Sequence, residues 1–167
     1  MNRPVFTIIA GSNGCGKSTL TSTARDKFQQ TPLLDPDAIA RSLQATLDSN
    51  NSDIEAGKRV LRLAEAERAK AVGFNLMVVF VGTASVEINL ERVKARVKKG
   101  GHDVPEEDQR RRYPRTLANM KRLLPLADLA VILDNSTPMG HTLVAFGHTG
   151  YMHWVEPVPE WAAFLRS

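Results

Sequence analysis

The chain has one cysteine, Cys15, and so cannot carry an internal disulfide framework. No apolar run approaches the ~20 residues that a membrane-spanning helix needs. Aromatic residues make up 6% of the 167 residues. Apart from Tyr113, none interleaves with the basic residues of the 92–122 region, so no stacking platform for a single strand is evident. Internal repeats, low-complexity tracts and long linkers are missing too. The chain enters the apolar run Val5–Ala10 almost at once, which leaves no room for a signal peptide. These absences lead to the expectation of a cytoplasmic protein of one domain over residues 1–167, with no membrane partner.

What is present is ordinary in bulk, with 43% apolar and 24% charged residues. The net charge of +4 and the pI near 9.5 are less ordinary. A basic balance fits nucleic acid, but it fits phosphorylated small molecules equally well. With no stacking aromatics, a small-molecule phosphate substrate is the expectation and nucleic acid is not.

The most informative stretch is Gly11-Ser-Asn-Gly-Cys-Gly-Lys-Ser18, the phosphate-loop pattern G-x-x-x-x-G-K-[ST]. A β-rich apolar run precedes it, and Leu20, Ala24 and Phe28 follow at helical spacing. Gly11, Gly14 and Gly16 allow a tight turn that brings backbone N–H groups close to phosphate oxygens. The following helix adds the partial positive charge of its N-terminus. Lys17 supplies a point charge for the β- and γ-phosphates. The Ser18 hydroxyl is placed to ligate Mg²⁺. Cys15, inside the loop, reads as a small filler rather than a nucleophile.

Beyond the loop, the pattern predicts helices over 38–47 and 54–72, with Gly73 as the stop. It then predicts a strand over 75–82, a helix over 86–99 ended by Gly100-Gly101, and a helix over about 107–124. A strand over 129–133, a hairpin of 142–146 with 151–155, and a closing helix over 157–164 complete the chain. Strands alternating with helices imply an α/β fold, a mostly parallel sheet flanked by helices, here with a C-terminal antiparallel hairpin. Ligands of such sheets bind at the carboxyl ends of the strands. The loop, Gly82-Thr83 and Asp134-Asn-Ser136 all lie at such ends.

Phosphoryl transfer to a hydroxyl needs a carboxylate base, and Asp35 and Asp37 compete for that role and for helix capping. Arg92, Arg96, Arg110, Arg111 and Arg112 are candidates for neutralising charge on the transferring group, set against the simpler reading of a solvated helix surface. Asn135 and Ser136 either touch a nucleotide base or only form a turn. His102 has no cysteine or second histidine at ligand spacing and reads as a loop-ordering residue. Trp154, Trp161 and Tyr151 read as core or hairpin packing.

Several stretches together resemble the zeta-toxin-like P-loop kinases. They are Ile8–Leu20, Leu34-Asp-Pro-Asp-Ala-Ile-Ala40, Ala56-Gly-Lys58, Arg92–Val97, Gly100-Gly-His-Asp-Val-Pro105, Arg111-Arg-Tyr113 and Ala127-Asp128 with Asp134-Asn-Ser136. The resemblance implies a P-loop kinase core that binds ATP or GTP with Mg²⁺ at Gly11, Ser12, Asn13, Gly14, Cys15, Gly16, Lys17, Ser18 and Thr19. It selects Asp37 as the base and Arg96 and Arg112 as the arginines on the triphosphate. It implies an ATP-dependent kinase acting on a small-molecule hydroxyl, the best-known acceptor being UDP-N-acetylglucosamine, with an antitoxin as protein partner. The chain departs from the family in lacking its Phe-x-x-Glu-Thr-Thr-Leu-Ser-Gly segment, which normally holds the acceptor. That departure raises an alternative, a nucleotide-binding relative without kinase activity, and a sheet edge that a second copy of the chain would cover.

Overall fold

The computed structural model describes residues 3–23, 66–148 and 150–166. The helix predicted over 38–47, most of that over 54–72, Asp35 and Asp37 lie outside the described residues. Strand β1 (Val5–Ala10) leads through the glycine loop into helix α1 (Lys17–Thr23). Residues 66–71 are helical. Gly73, at φ +91°, ends that stretch as the sequence pattern predicts, with the Phe74 N–H reaching back to the Ala69 carbonyl at 2.9 Å.

The chain continues with β2 (Asn75–Gly82), α2 (Val86–Lys98), α3 (Glu106–Leu123), a 3₁₀ turn (Leu124–Leu126), β3 (Leu129–Asp134), β4 (Thr142–His148), β5 (Tyr151–Trp154) and α4 (Glu160–Arg166). Gly100, at φ +83°, closes α2 in the same manner as Gly73, with Gly101 N–H on the Arg96 carbonyl at 3.0 Å. Pro114 lies inside α3, which continues past it.

The five strands form one sheet in the order β1-β2-β3-β4-β5. The pairs β1–β2 and β2–β3 are parallel, whereas β3–β4 and β4–β5 are antiparallel. The fold is therefore mixed α/β, and the C-terminal hairpin extends the same sheet. One face carries Ile8, Ala10, Leu76, Val78, Phe80, Ala130, Ile132 and Ala145, packed with Met120 and Leu123 of α3 and Trp161, Ala162 and Leu165 of α4. Val79 and Val81 point to the other face and are buried as well. Burial on both faces explains why β2 reads as an unbroken apolar run.

One expectation needs correction. The closing helix starts at Glu160 rather than Pro157. Pro159 supplies the first accepting carbonyl, taking the Ala162 and Ala163 N–H groups at 2.9 and 3.2 Å, so the helix begins after it. Of the two readings of Tyr151, core or hairpin packing, the structure selects the second, with the residue 62% exposed. Its ring packs on the hairpin, 6.1 Å from His148, whereas Trp161 is buried and Trp154 packs against the core. None of the described helices is long and apolar enough to cross a membrane.

Candidate functional site

The site is the loop between β1 and α1, at the carboxyl ends of three adjacent parallel strands. Gly11, Gly14 and Gly16 have φ of +147°, +79° and +103°. Their neighbours also exclude a side chain. A Cβ on Gly11 would lie 2.4 Å from the Val81 carbonyl oxygen, one on Gly14 2.6 Å from the Asn89 carbonyl oxygen, and one on Gly16 2.2 Å from Asn135 Nδ2. The three glycines answer both to backbone conformation and to close packing against β2, α2 and the segment after β3.

Lys17 folds over this loop. Its Nζ donates to the Gly11 and Ser12 carbonyls at 2.9 Å each and lies 3.9 Å from the Cys15 sulfur. An ammonium has three donors, so two are engaged by carbonyls and one faces only a weak acceptor. Cys15 is fully buried. Asn13 is half-buried and Ser18 and Thr19 are exposed on the first turn of α1.

A buried polar shell holds the loop from behind. Asn89 Nδ2 donates to Ser12 Oγ at 2.8 Å, and Thr83 Oγ1 donates to Asn89 Oδ1 at 3.1 Å. From the other side Asn135 Nδ2 donates to the Cys15 carbonyl at 2.8 Å. The Asn135 N–H is fixed on the Gly82 carbonyl at 2.9 Å, and its own carbonyl accepts from Arg92 at 2.7 Å. Ser12, Thr83, Asn89 and Asn135 are all buried. Tyr113 of α3 donates its hydroxyl to the Thr83 carbonyl, and burial pushes its phenol above the ordinary value. Asp134, at the end of β3, accepts from Trp161 Nε1 at 2.8 Å and from the Ser136 hydroxyl at 2.6 Å.

The structure brings some sequence candidates together and separates others. Asn135 touches the loop directly and Arg92 reaches it through the Asn135 carbonyl. Arg96 donates to the His102 carbonyl at 2.8 Å, which orders the 101–105 loop. Arg111 and Arg112 both pair with Asp108 within α3. Arg110 pairs with Glu87 and Glu106 and holds both carboxyls below the ordinary carboxylate range.

Two residues escaped the sequence reading. Asn89 sits among the buried positions of α2, where an apolar residue is the usual occupant. His141 rests against the loop, its Nε2 3.2 Å from where a Gly16 Cβ would be. That nitrogen is buried and has no hydrogen-bond partner among the described residues. No sequence signal marks either residue, because each is placed by packing rather than by a motif.

As for metals, the described residues contain no cluster of three histidine, cysteine or acidic side chains. A magnesium ion on the exposed Ser18 hydroxyl would draw most of its shell from phosphate and water oxygens, which suits that ion.

No family model matches the chain. Three solved structures share its fold. The native AvrRxo1-ORF1:ORF2 complex and the same complex with ATP each match with a TM-score of 0.56 and 15% identity, over 98% of this chain. The complex with sulphate ions matches with a TM-score of 0.58 and 14% identity over 95% of this chain. The chain spans 63% to 65% of the matched chains' length. An uncharacterized protein of Haemophilus influenzae is 33% identical over an alignment of 135 positions that covers 67% of this chain and 93% of that protein. By that identity and coverage, this chain belongs to the same family as the Haemophilus influenzae protein.

Proposed function

We propose that the chain is an ATP-using phosphotransferase of the zeta-toxin-like kind. The observation that carries the reading is the glycine loop itself. Three glycines with positive φ, a lysine folded over the turn and a helix start are combined at the carboxyl ends of parallel strands. Such a loop presents backbone N–H groups and a positive helix end to anionic oxygens. A solved structure that shares the fold holds ATP, which supports nucleotide as the ligand.

In this reading the loop amides of residues 12–18 and Lys17 bind the β- and γ-phosphates. Ser18 would hold magnesium, which would offset the negative charge of the phosphates. Asn135 keeps the Cys15 peptide in place, and Arg96 and Arg112 are the arginines for the triphosphate, which they reach by exchanging their contacts with the His102 carbonyl and Asp108 for it. Asp37 takes the proton from the acceptor hydroxyl as its oxygen attacks the γ-phosphorus and the bond to the ADP leaving oxygen breaks. The acceptor is a small molecule, with the sugar hydroxyl of UDP-N-acetylglucosamine as the first candidate. The solved neighbours are complexes of two proteins, which supports an antitoxin-like partner for this chain as well.

The test is mass-spectrometric product analysis with Mg²⁺-ATP and UDP-N-acetylglucosamine, comparing the wild type with Lys17→Ala and Asp37→Asn. A phosphorylated sugar nucleotide with the wild type alone is the expected result. ATP binding without any product would favour the nucleotide-binding relative that the missing Glu-Thr-Thr-Leu-Ser-Gly segment raises. No ATP binding at all would reject the reading.

A further inference from the structure

Helix α2 buries Asn89 to 1% exposure, alongside Leu90 and Val93. A buried amide in such a place is costly unless both of its ends are satisfied. Both ends are. Its Nδ2 donates to Ser12 Oγ at 2.8 Å, and its Oδ1 accepts from Thr83 Oγ1 at 3.1 Å. The same residue's carbonyl oxygen lies where a Gly14 side chain would fall, so α2 touches the loop at both Ser12 and Gly14. The Thr83 carbonyl in turn accepts from Tyr113 of α3. One continuous chain of contacts, part-buried at Tyr113 and buried from Thr83 onward, thus runs from α3, the helix bearing Arg111 and Arg112, through the β2–α2 corner and α2 to the glycine loop.

We infer that Asn89 is a positioning residue that sets the shape of the loop and ties it to α3 through Thr83 and Tyr113. The loop's glycines have the widest conformational freedom in the chain. A turn with three of them needs external contacts to keep its N–H groups convergent. The Asn89 side chain supplies one such contact, on Ser12, and Asn135 supplies one from the other side. Removing the amide frees Ser12, while the packing of the Asn89 backbone on Gly14 and the rest of the sheet stay in place. This role concerns the loop's geometry. Its effect on ligand affinity rests on the nucleotide reading above.

The experiment compares Asn89→Leu, which keeps the branched skeleton and removes the amide's hydrogen bonds, with Ser12→Ala, which removes the same bond from the loop side. Ser12→Ala also answers the question should Asn89→Leu fail to fold. Residue-resolved hydrogen exchange of the unliganded protein reads the Cys15 amide, which donates to the Ser12 carbonyl across the loop at 3.3 Å. The Phe80 amide in β2 serves as the reference. The expected result is at least ~10-fold faster exchange at Cys15 in both variants, with Phe80 changed by less than ~2-fold, the size of one lost hydrogen bond. Equal acceleration at both amides would mean Asn89 serves only global stability. No acceleration at Cys15 would mean the loop holds itself. Either result overturns the inference. ATP titration is the second readout. Each variant is expected to bind ~5–10-fold more weakly, and the double variant no more weakly than either single one. A wild type that fails to bind ATP would reject the nucleotide reading and leave the exchange experiment to decide the role of Asn89.

Discussion

Gly16 shows how a single residue answers to two constraints at once. Its φ of +103° disfavours any side chain, and a Cβ there would meet Asn135 Nδ2 at 2.2 Å. Gly16→Ala is therefore expected to cost about 1–3 kcal/mol of stability, from strain and from displacement of Asn135. Denaturant unfolding checks the cost, and ATP titration checks the accompanying loss of nucleotide affinity. At this scale the loop was legible, because glycine spacing and a following lysine encode a local conformation. The arginines were legible only as five candidates. Which carbonyl or carboxylate each one meets depends on how α2 and α3 pack, so the contact between Arg92 and Asn135 could not be read. Asn89 and His141 were invisible for the same reason, since an asparagine in a helix and a histidine in a connecting segment carry no periodic or spaced signal.

Among the elements, Asp128 ties the start of β2 to the turn before β3. Its carboxylate accepts from the Leu76 N–H at 2.7 Å and from Lys70 Nζ at 2.9 Å. Those two contacts, the backbone one first, hold its carboxyl below the ordinary aspartate value of 3.8. A group depressed in the folded state contributes stability above its unfolded value and loses it as pH falls through the folded one. The stability difference between wild type and Asp128→Asn is thus expected to be steady above about pH 5 and to vanish on acidification below pH 4. Its size is small, because the pair is solvent-accessible. Urea unfolding between pH 3 and pH 7 checks it. Helix ends were readable where a glycine makes them, as at Gly73 and Gly100, because positive φ at the C-terminus is a backbone requirement. The start of α4 was misread. Two prolines in close succession both suit a helix start, and only the backbone bonds show that Pro159 is the one used.

At the scale of the molecule, the described residues build a five-stranded sheet with the glycine loop and buried polar shell at one end. Its net charge of +4 invites a nucleic-acid reading. The fold offers a sharper test of that idea, because Arg110, Arg111 and Arg112 are committed to Glu87, Glu106 and Asp108 rather than arrayed toward solvent as free cations. Binding to a random single-stranded oligonucleotide is expected to be weak, with a small salt slope, and to be gone by about 200 mM salt. Fluorescence anisotropy across a salt series checks this, and affinity that survives at that salt would return the polynucleotide reading to consideration.

The sequence by itself determined the α/β alternation, the positions of the strands, the glycine loop and the helix stops. Each of these is a local property, set by hydrophobic period, backbone conformation or a fixed spacing. Only the tertiary structure decided that the hairpin joins the main sheet beside β3, that Asn89 and Asn135 clamp the loop from opposite sides, and that Arg92 reaches it through Asn135. Those outcomes depend on contacts between residues far apart in the chain, 77 positions for Ser12 and Asn89 and 120 for Cys15 and Asn135. Packing sets such contacts, and no local pattern encodes them.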